Sequence, residues 1–166
     1  MKRFLFSIIS ILSVIVSYGQ NAVPVMGTGV SVFDVEVEEL SGLCFNEDAT
    51  KLLSCGDQGV VKSISFTGEV EDILVQGADM EGLTLDPATG DLYLAIEGRQ
   101  EIYRMTAPGY SSAESVFAVK EAVENNYRNG GLEAVEYYKD DILFVGSQTE
   151  ANLWQYRFDG TMISKI

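Results

Sequence analysis

A threefold internal repeat constrains this chain more than any other feature. Three segments superimpose: ELSGLCF from Glu39, DMEGLTL from Asp79 and GLEAVEY from Gly131. Each runs from an apolar residue through Ser or Glu to a tiny residue and then an aliphatic one. A polar turn and a second apolar run follow every time, as KLLSCGD from Lys51, DLYLAIE from Asp91 and DDILFVG from Asp140. Third runs come next (VVKSISF, EIYRM and LWQYRF), then fourth runs at residues 69–75, 115–119 and 161–166. The turn DPATGD, from Asp86, sets Pro and Gly between two strand-like runs. The equivalent residues Ser41, Glu81 and Glu133 are spaced by 40 and 52 positions. About 40 residues in four short strands is the unit of a β-propeller blade. The expected fold is therefore all-β, a β-propeller segment of three four-stranded blades, half of a six-bladed ring.

The longer second interval holds APGYSS and AVKEAVENNYR, a short helix expected within residues 118–128. Residues 30–37, VSVFDVEV, alternate as one further strand before the first repeat. Three blades fall short of the four to eight that usually close a propeller. Either the chain is a piece of a longer protein, which we favour, or it pairs with another copy to close.

Composition removes several function classes. Hydrophobic residues make up 46% and aromatics 10% of the 166 residues, enough for a core and too many for wholesale disorder. Histidine is absent from the sequence. Ser-His-Asp and Cys-His triads, an HExxH zinc site and a histidine general base are thereby excluded. Acidic residues outnumber basic ones, 25 to 11, for a net charge of −14. Nucleic acid is not an expected partner, because phosphate binding needs clustered Lys and Arg. Carboxylate chemistry, hard-metal binding and protein–protein recognition stay open.

Lys2 and Arg3 precede an apolar stretch over residues 4–18, interrupted only by serines. That length falls short of the roughly 20 residues that span a bilayer and suits a signal-peptide core. Ser17 and Gly19 are compatible with cleavage near residues 19–21. The reading is a signal peptide over residues 1–20 and a partial propeller domain over 21–166, exported to the periplasm or beyond. An uncleaved N-terminal anchor is the alternative and, with peripheral contact, the route to the plasma membrane. Cys44 and Cys55 would then sit where disulfides persist. They flank the NEDATK turn on neighbouring strands, diagonal rather than opposite, near the upper limit of disulfide geometry. A bond and two buried free thiols both remain open.

Read together, ELSGL, DMEGLTLDPATGDLYLAIEGRQEIYRM and NGGLEAV resemble the SdiA-regulated family of exported bacterial β-propellers. Blades in that family open with L-S-G and D-x-E-G motifs, followed by a strand ending in E-R-x-x-x-I/L-Y. The resemblance runs over residues 40–158, about half of a typical family domain. The esterase-like phytase family is a related-looking propeller group that shares x-L-E-A/G-L openings. The third repeat departs from the pattern. Ala134 stands where glycine is usual, and GSQTE, from Gly146, replaces a strand ending in glutamate.

First strands line a propeller's channel, so Ser41, Glu81 and Glu133 should converge near the axis. Converging carboxylates raise one another's pKa unless a cation neutralises them. Calcium, with 6–8 oxygen ligands, suits such a set. The SdiA-regulated resemblance likewise implies acidic channel-mouth residues at Glu81 and Glu133. The blander account is that these groups cap strand ends. Asp57, Glu97 and Gln148 end the second strands and should form a ring on one rim, as further ligands or as structural decoration. Glu97 could pair with Arg99, worth less than about 1 kcal/mol if exposed. The aromatics, Trp154 and Tyr156 among them, are expected in the core.

The function expected is an exported, non-enzymatic, calcium-stabilised binding module for a protein or small-molecule ligand, with self-association if the chain is truncated. The alternative is a metal-dependent phytase-like phosphoesterase or esterase, whose carboxylates hold Ca²⁺ against a phosphate. Only Lys62, Arg99 and Arg104 lie near the relevant strands. That scarcity of positive charge favours binding.

Overall fold

The computed structural model describes Val35, residues 37–124 and residues 130–166. The signal peptide expected over residues 1–20 lies outside them, as does most of the strand expected over 30–37. Val35 and Val37, the described part of that stretch, belong to no strand.

Among the described residues, twelve strands form three four-stranded antiparallel sheets, each built from consecutive strands. The first blade comprises β1 (Leu40–Phe45), β2 (Lys51–Gly56), β3 (Val60–Ser65) and β4 (Val70–Val75). The second comprises β5 (Met80–Leu85), β6 (Leu92–Ile96), β7 (Glu101–Met105) and β8 (Ala113–Ala118). A short helix, α1 (Lys120–Glu124), precedes the third blade, within the segment where the sequence placed one. That blade comprises β9 (Leu132–Lys139), β10 (Ile142–Ser147), β11 (Leu153–Arg157) and β12 (Met162–Lys165). The all-β partial propeller and its blade boundaries are as the repeat implied. In the DPATGD turn, Asp86 accepts from the Ala88 amide at 2.9 Å and the Thr89 hydroxyl at 2.8 Å. Gly90 completes it at φ +79°, a conformation that favours glycine.

Burial follows each blade's place in the stack. β6, LYLAI, is buried at all five positions because the second blade is covered on both faces. Its Leu92, Leu94 and Ile96 join Leu53, Val61, Met80 and Leu83 in the core between blades one and two. Tyr93 and Ala95 point the other way, into a core with Val135, Leu143, Trp154 and Tyr156. By contrast β10 alternates between buried and half-buried positions, as a sheet packed on one face does. Each fully buried large aliphatic contributes about 1.5–3 kcal/mol. Two inter-blade cores therefore hold the unit together. Phe117 stacks on Tyr156 across the second of them, ring centroids 5.2 Å apart.

Cys44 pairs with Leu53 and Cys55 with Gly42, so the two cysteines are diagonal neighbours, and both are free thiols. Burial, seconded by the Glu136 carboxylate, pushes the Cys44 thiol up to about 12. Burial likewise pushes Cys55 up to about 12 against a backbone hydrogen bond from Gly42.

Candidate functional site

The first strand of every blade carries the same irregularity. In β1 the pairing passes from Leu40↔Gly56 to Gly42↔Cys55, leaving Ser41 unpaired. Glu81 is skipped in β5, between Met80↔Ile96 and Gly82↔Ala95. Glu133 is skipped in β9, between Leu132↔Ser147 and Ala134↔Gly146. Such a bulge adds one residue opposite an uninterrupted partner and re-aims its side chain. The three equivalent positions of the sequence repeat are thus three equivalent bulges.

The tiny residue that follows each bulge explains why these side chains meet. β1 lies against β5, and β5 against β9. A Cβ on Gly42 would stand 3.0 Å from the Gly82 Cα, and one on Gly82 would stand 3.0 Å from the Ala134 Cα. Backbones this close leave no room for a larger residue. The bulged side chains of neighbouring blades are drawn towards one another at the same end of the strands.

What gathers there is a cluster of carboxylates. Ser41 donates its hydroxyl to Asp57 Oδ1 at 2.7 Å. Carboxylate oxygens of Asp57, Asp79 and Glu81 lie within 4.8 Å of one another. Burial first, then the Asp57 charge, raises Glu81 to about 7, against a hydrogen bond from Ser41. Glu133 and Asp79 add to that rise. Burial also raises Asp79, seconded by its hydrogen bond and charge interaction with Glu97. Glu133 is raised by burial and then by Glu97, Asp79 and Asp57. The charges acting on all three groups are other carboxylates.

The rim set divides. Asp57 belongs to the cluster. Glu97 is only 7% exposed, and its Oε1 accepts the backbone amides of Gly130 and Gly131, the latter at 3.1 Å. It ties the second blade to the start of the third while its carboxylate still acts on Asp79 and Glu133. The expected Glu97–Arg99 pair gives way to this arrangement, and Arg99 donates instead to the Tyr103 hydroxyl at 2.8 Å. The Glu97 Oε1 is already engaged by two amides, and the Arg99 guanidinium instead meets the hydroxyl of the buried Tyr103. Gln148 is exposed, and its backbone amide donates to the Gly131 carbonyl at 3.0 Å. That contact places it beside the glycine pair.

Asp79 is the member that sequence reasoning missed. It opens the D-x-E-G motif, but the equivalent positions are Glu39 and Gly131, so the repeat offered no consensus there. Glu39 instead accepts from the Gln58 side chain at 2.6 Å. Near it a groove lined by Val37, Glu38, Gln58, Val60 and Lys62 flanks the first blade.

The donor set fits a hard cation. Oxygens bound to one Ca²⁺ at about 2.4 Å can be no more than about 4.8 Å apart, and the ion takes carboxylates and water together. Asp57, Asp79 and Glu81 meet that limit. Chemically the cluster can bind a cation, share protons, or present the cation to an oxygen-bearing ligand.

A family model described as phytase-like, with esterase-like activity of phytase, matches residues 60–160. No curated protein matches the chain. Similar solved structures include virginiamycin B lyase from Staphylococcus aureus, 13% identical over 76% of this chain and 40% of that one, with a TM-score of 0.56. A streptogramin B lyase is 12% identical over 79% of this chain and 42% of its own, with a TM-score of 0.57. Kuenenia stuttgartiensis hydrazine synthase is 10% identical over 84% and 38%, with a TM-score of 0.57. The chain spans about 40% of the length of these structures. At such identities the likeness is one of fold, and it agrees with a partial propeller.

Proposed function

The chain belongs to the phytase-like family, and from that premise we propose that its carboxylate cluster holds a calcium ion in an exported binding propeller. The meeting of Asp57, Asp79 and Glu81 oxygens within 4.8 Å carries this reading. Glu133 would stand beside the ion, and Ser41 would orient Asp57. When bound, Ca²⁺ supplies charge neutralisation and open coordination positions for an oxygen-bearing ligand. Ser41 and Gln148 need not touch it. The L-S-G and D-x-E-G blade openings support the finer assignment to the SdiA-regulated group.

Residues 1–20 act as the export signal in this reading, and 21–166 form the domain. It works in the periplasm or outside the cell, with plasma-membrane association through a retained N-terminal segment or peripheral contact. Its ligand is a protein or a small molecule. A net charge of −14 makes nucleic acid an unsuitable one.

The family's description favours a second reading, a metal-dependent phosphoesterase or esterase. A phosphate-processing site normally sets Lys or Arg beside its metal. Here Lys62 pairs with Asp72 at 3.1 Å and Arg99 with Tyr103. The carboxylates act on one another instead, which supports binding over hydrolysis.

Calorimetric titration of Ca²⁺ into chelator-treated protein tests the first reading, and hydrolysis of p-nitrophenyl phosphate and p-nitrophenyl acetate tests the second. Binding without turnover supports the module. Turnover that requires Ca²⁺ and disappears in Glu81→Gln supports the hydrolase. No heat at millimolar Ca²⁺, with a melt indifferent to chelator, rejects the calcium site.

A further inference from the structure

The two boundaries between neighbouring blades are finished differently at their outer edge. Gln76 follows β4 and Val119 follows β8, and their amides donate to the equivalent carbonyls of Gly59 and Gln100 at 2.9 and 2.8 Å. Gln76 turns its side-chain amide to β8 of the second blade, donating to the Ala113 carbonyl and accepting from the Ala113 amide, both at 3.2 Å. Val119 has no such group to offer the third blade and is buried in the second inter-blade core. At this second boundary lies a groove of about 650 Å³. One wall is the end of β8 with the start of α1, and the other is the turn from β11 to β12. Phe117 and Tyr156, 9% and 2% exposed, form its floor, and Met162 stands 44% exposed beside them. Gly160 seats the turn on the Phe117 ring: its φ is +81°, and a Cβ there would stand 2.6 Å from the Phe117 Cβ.

Each wall carries a carboxylate. Glu121, on α1, accepts the Tyr156 hydroxyl, and burial together with that acceptor raises the phenol's pKa and keeps it a donor. Asp159, on the turn, accepts the Thr161 amide at 2.9 Å, a bond that holds its carboxyl below the ordinary value. Among the described residues of the lining, these two acids stand against one base, Lys120. We propose that this groove binds a small organic cation with an apolar body, an aryl or alkyl ammonium whose hydrocarbon lies against Phe117 and Met162 and whose charge lies between Glu121 and Asp159. The volume falls within the roughly 300–1,000 Å³ of small-molecule sites, which pair an apolar lining with a few polar groups. An anion would meet two like charges for one opposite one, and a neutral molecule would desolvate the carboxylates without compensation. The groove shares no residue with the Asp57, Asp79 and Glu81 cluster, so it stands whether or not that cluster holds calcium.

Three probes share one ring and one linker and differ in charge: 2-phenylethylammonium, 2-phenylethanol and 3-phenylpropanoate. Calorimetric titration into the full 166-residue chain should show the ammonium binding at millimolar concentration or below, the alcohol more weakly and the propanoate weakest. Asp159→Asn and Glu121→Gln keep acceptor oxygens for the Thr161 amide and the Tyr156 hydroxyl. Each should weaken the ammonium about two- to fivefold, the range of an exposed ion pair, and leave the alcohol unchanged. Met162→Ala should weaken both. Should either acid variant melt early, the exposed Lys120→Gln replaces it, and should tighten the ammonium while loosening the propanoate. Glu81→Gln should change none of these affinities. Equal affinity for the three probes, a propanoate that binds tightest, a loss in Glu81→Gln in place of the groove variants, or no heat at millimolar ammonium would each overturn the proposal.

Discussion

Gly82 and Ala134 face each other at backbone contact: a Cβ on Gly82 would stand 3.0 Å from the Ala134 Cα and 3.0 Å from the Val135 amide nitrogen. Neither atom belongs to a side chain that can rotate away. Gly82→Val should therefore force β5 from β9 and destabilise the domain by about 1–3 kcal/mol, the usual cost of overpacking. Urea unfolding should show a lower midpoint with an unchanged slope. An unchanged midpoint would mean that the blades are not in contact there.

Glu97 gives a second, independent test of the same boundary. Glu97→Ala leaves the Gly130 and Gly131 amides without their acceptor in a buried place. The expected loss is about 1–3 kcal/mol per unsatisfied group at most. Glu97→Gln keeps an acceptor oxygen and should cost less. Equal losses for the two would show that the amides contribute nothing.

The cluster's titration fixes a pH dependence. Burial and neighbouring carboxylates raise Glu81 from 4.5 to about 7, and raise Asp79 and Glu133 as well. A carboxyl with a raised folded pKa contributes stability that is present below its unfolded pKa and lost as pH climbs through the folded value. Chelator-treated protein should thus melt at falling temperatures as pH rises from 4.5 towards about 7. Glu81→Gln should flatten that slope, and saturating Ca²⁺ should offset the loss at the upper end. A melting temperature that rises across this window in chelator, beyond what the other groups explain in Glu81→Gln, would refute the arrangement.

Calcium itself should act by mass action. Free ion at 100 times its Kd would stabilise the fold by about 2.7 kcal/mol. Glu81→Gln should weaken binding more than Glu97→Gln, because Glu97 Oε1 is already engaged by two amides. The reverse order in calorimetry would move the ion away from Asp57, Asp79 and Glu81.

Both thiols are pushed up to about 12, and Cys55 is fully buried. A thiol-specific disulfide reagent at pH 8 should therefore react slowly with the native protein. Unfolding should release two rapidly reacting thiols. Detection of none after unfolding would show that Cys44 and Cys55 join despite their diagonal register.

Strand order, blade boundaries, the DPATGD turn and the equivalence of Ser41, Glu81 and Glu133 were legible in the sequence, because each depends on neighbours a few residues away; the bulges at those three positions came only with the structure. Alternation of apolar residues sets the faces of a strand, and Pro, Gly and Asp set its turns. The repeat could likewise align Asp57, Glu97 and Gln148, since alignment reports where the backbone places a residue. It could not tell their fates apart. Glu97 meets two amides that the third blade brings to it, Asp57 meets Ser41 and two acids, and Gln148 stands exposed. Asp79 escaped notice because its repeat mates, Glu39 and Gly131, share neither charge nor role. Which carboxylates share one small space was decided by the approach of β1, β5 and β9 at Gly42, Gly82 and Ala134. That approach joins residues some 40 to 50 positions apart in the sequence, a distance over which local periodicity carries no information, so only the packed blades could settle it.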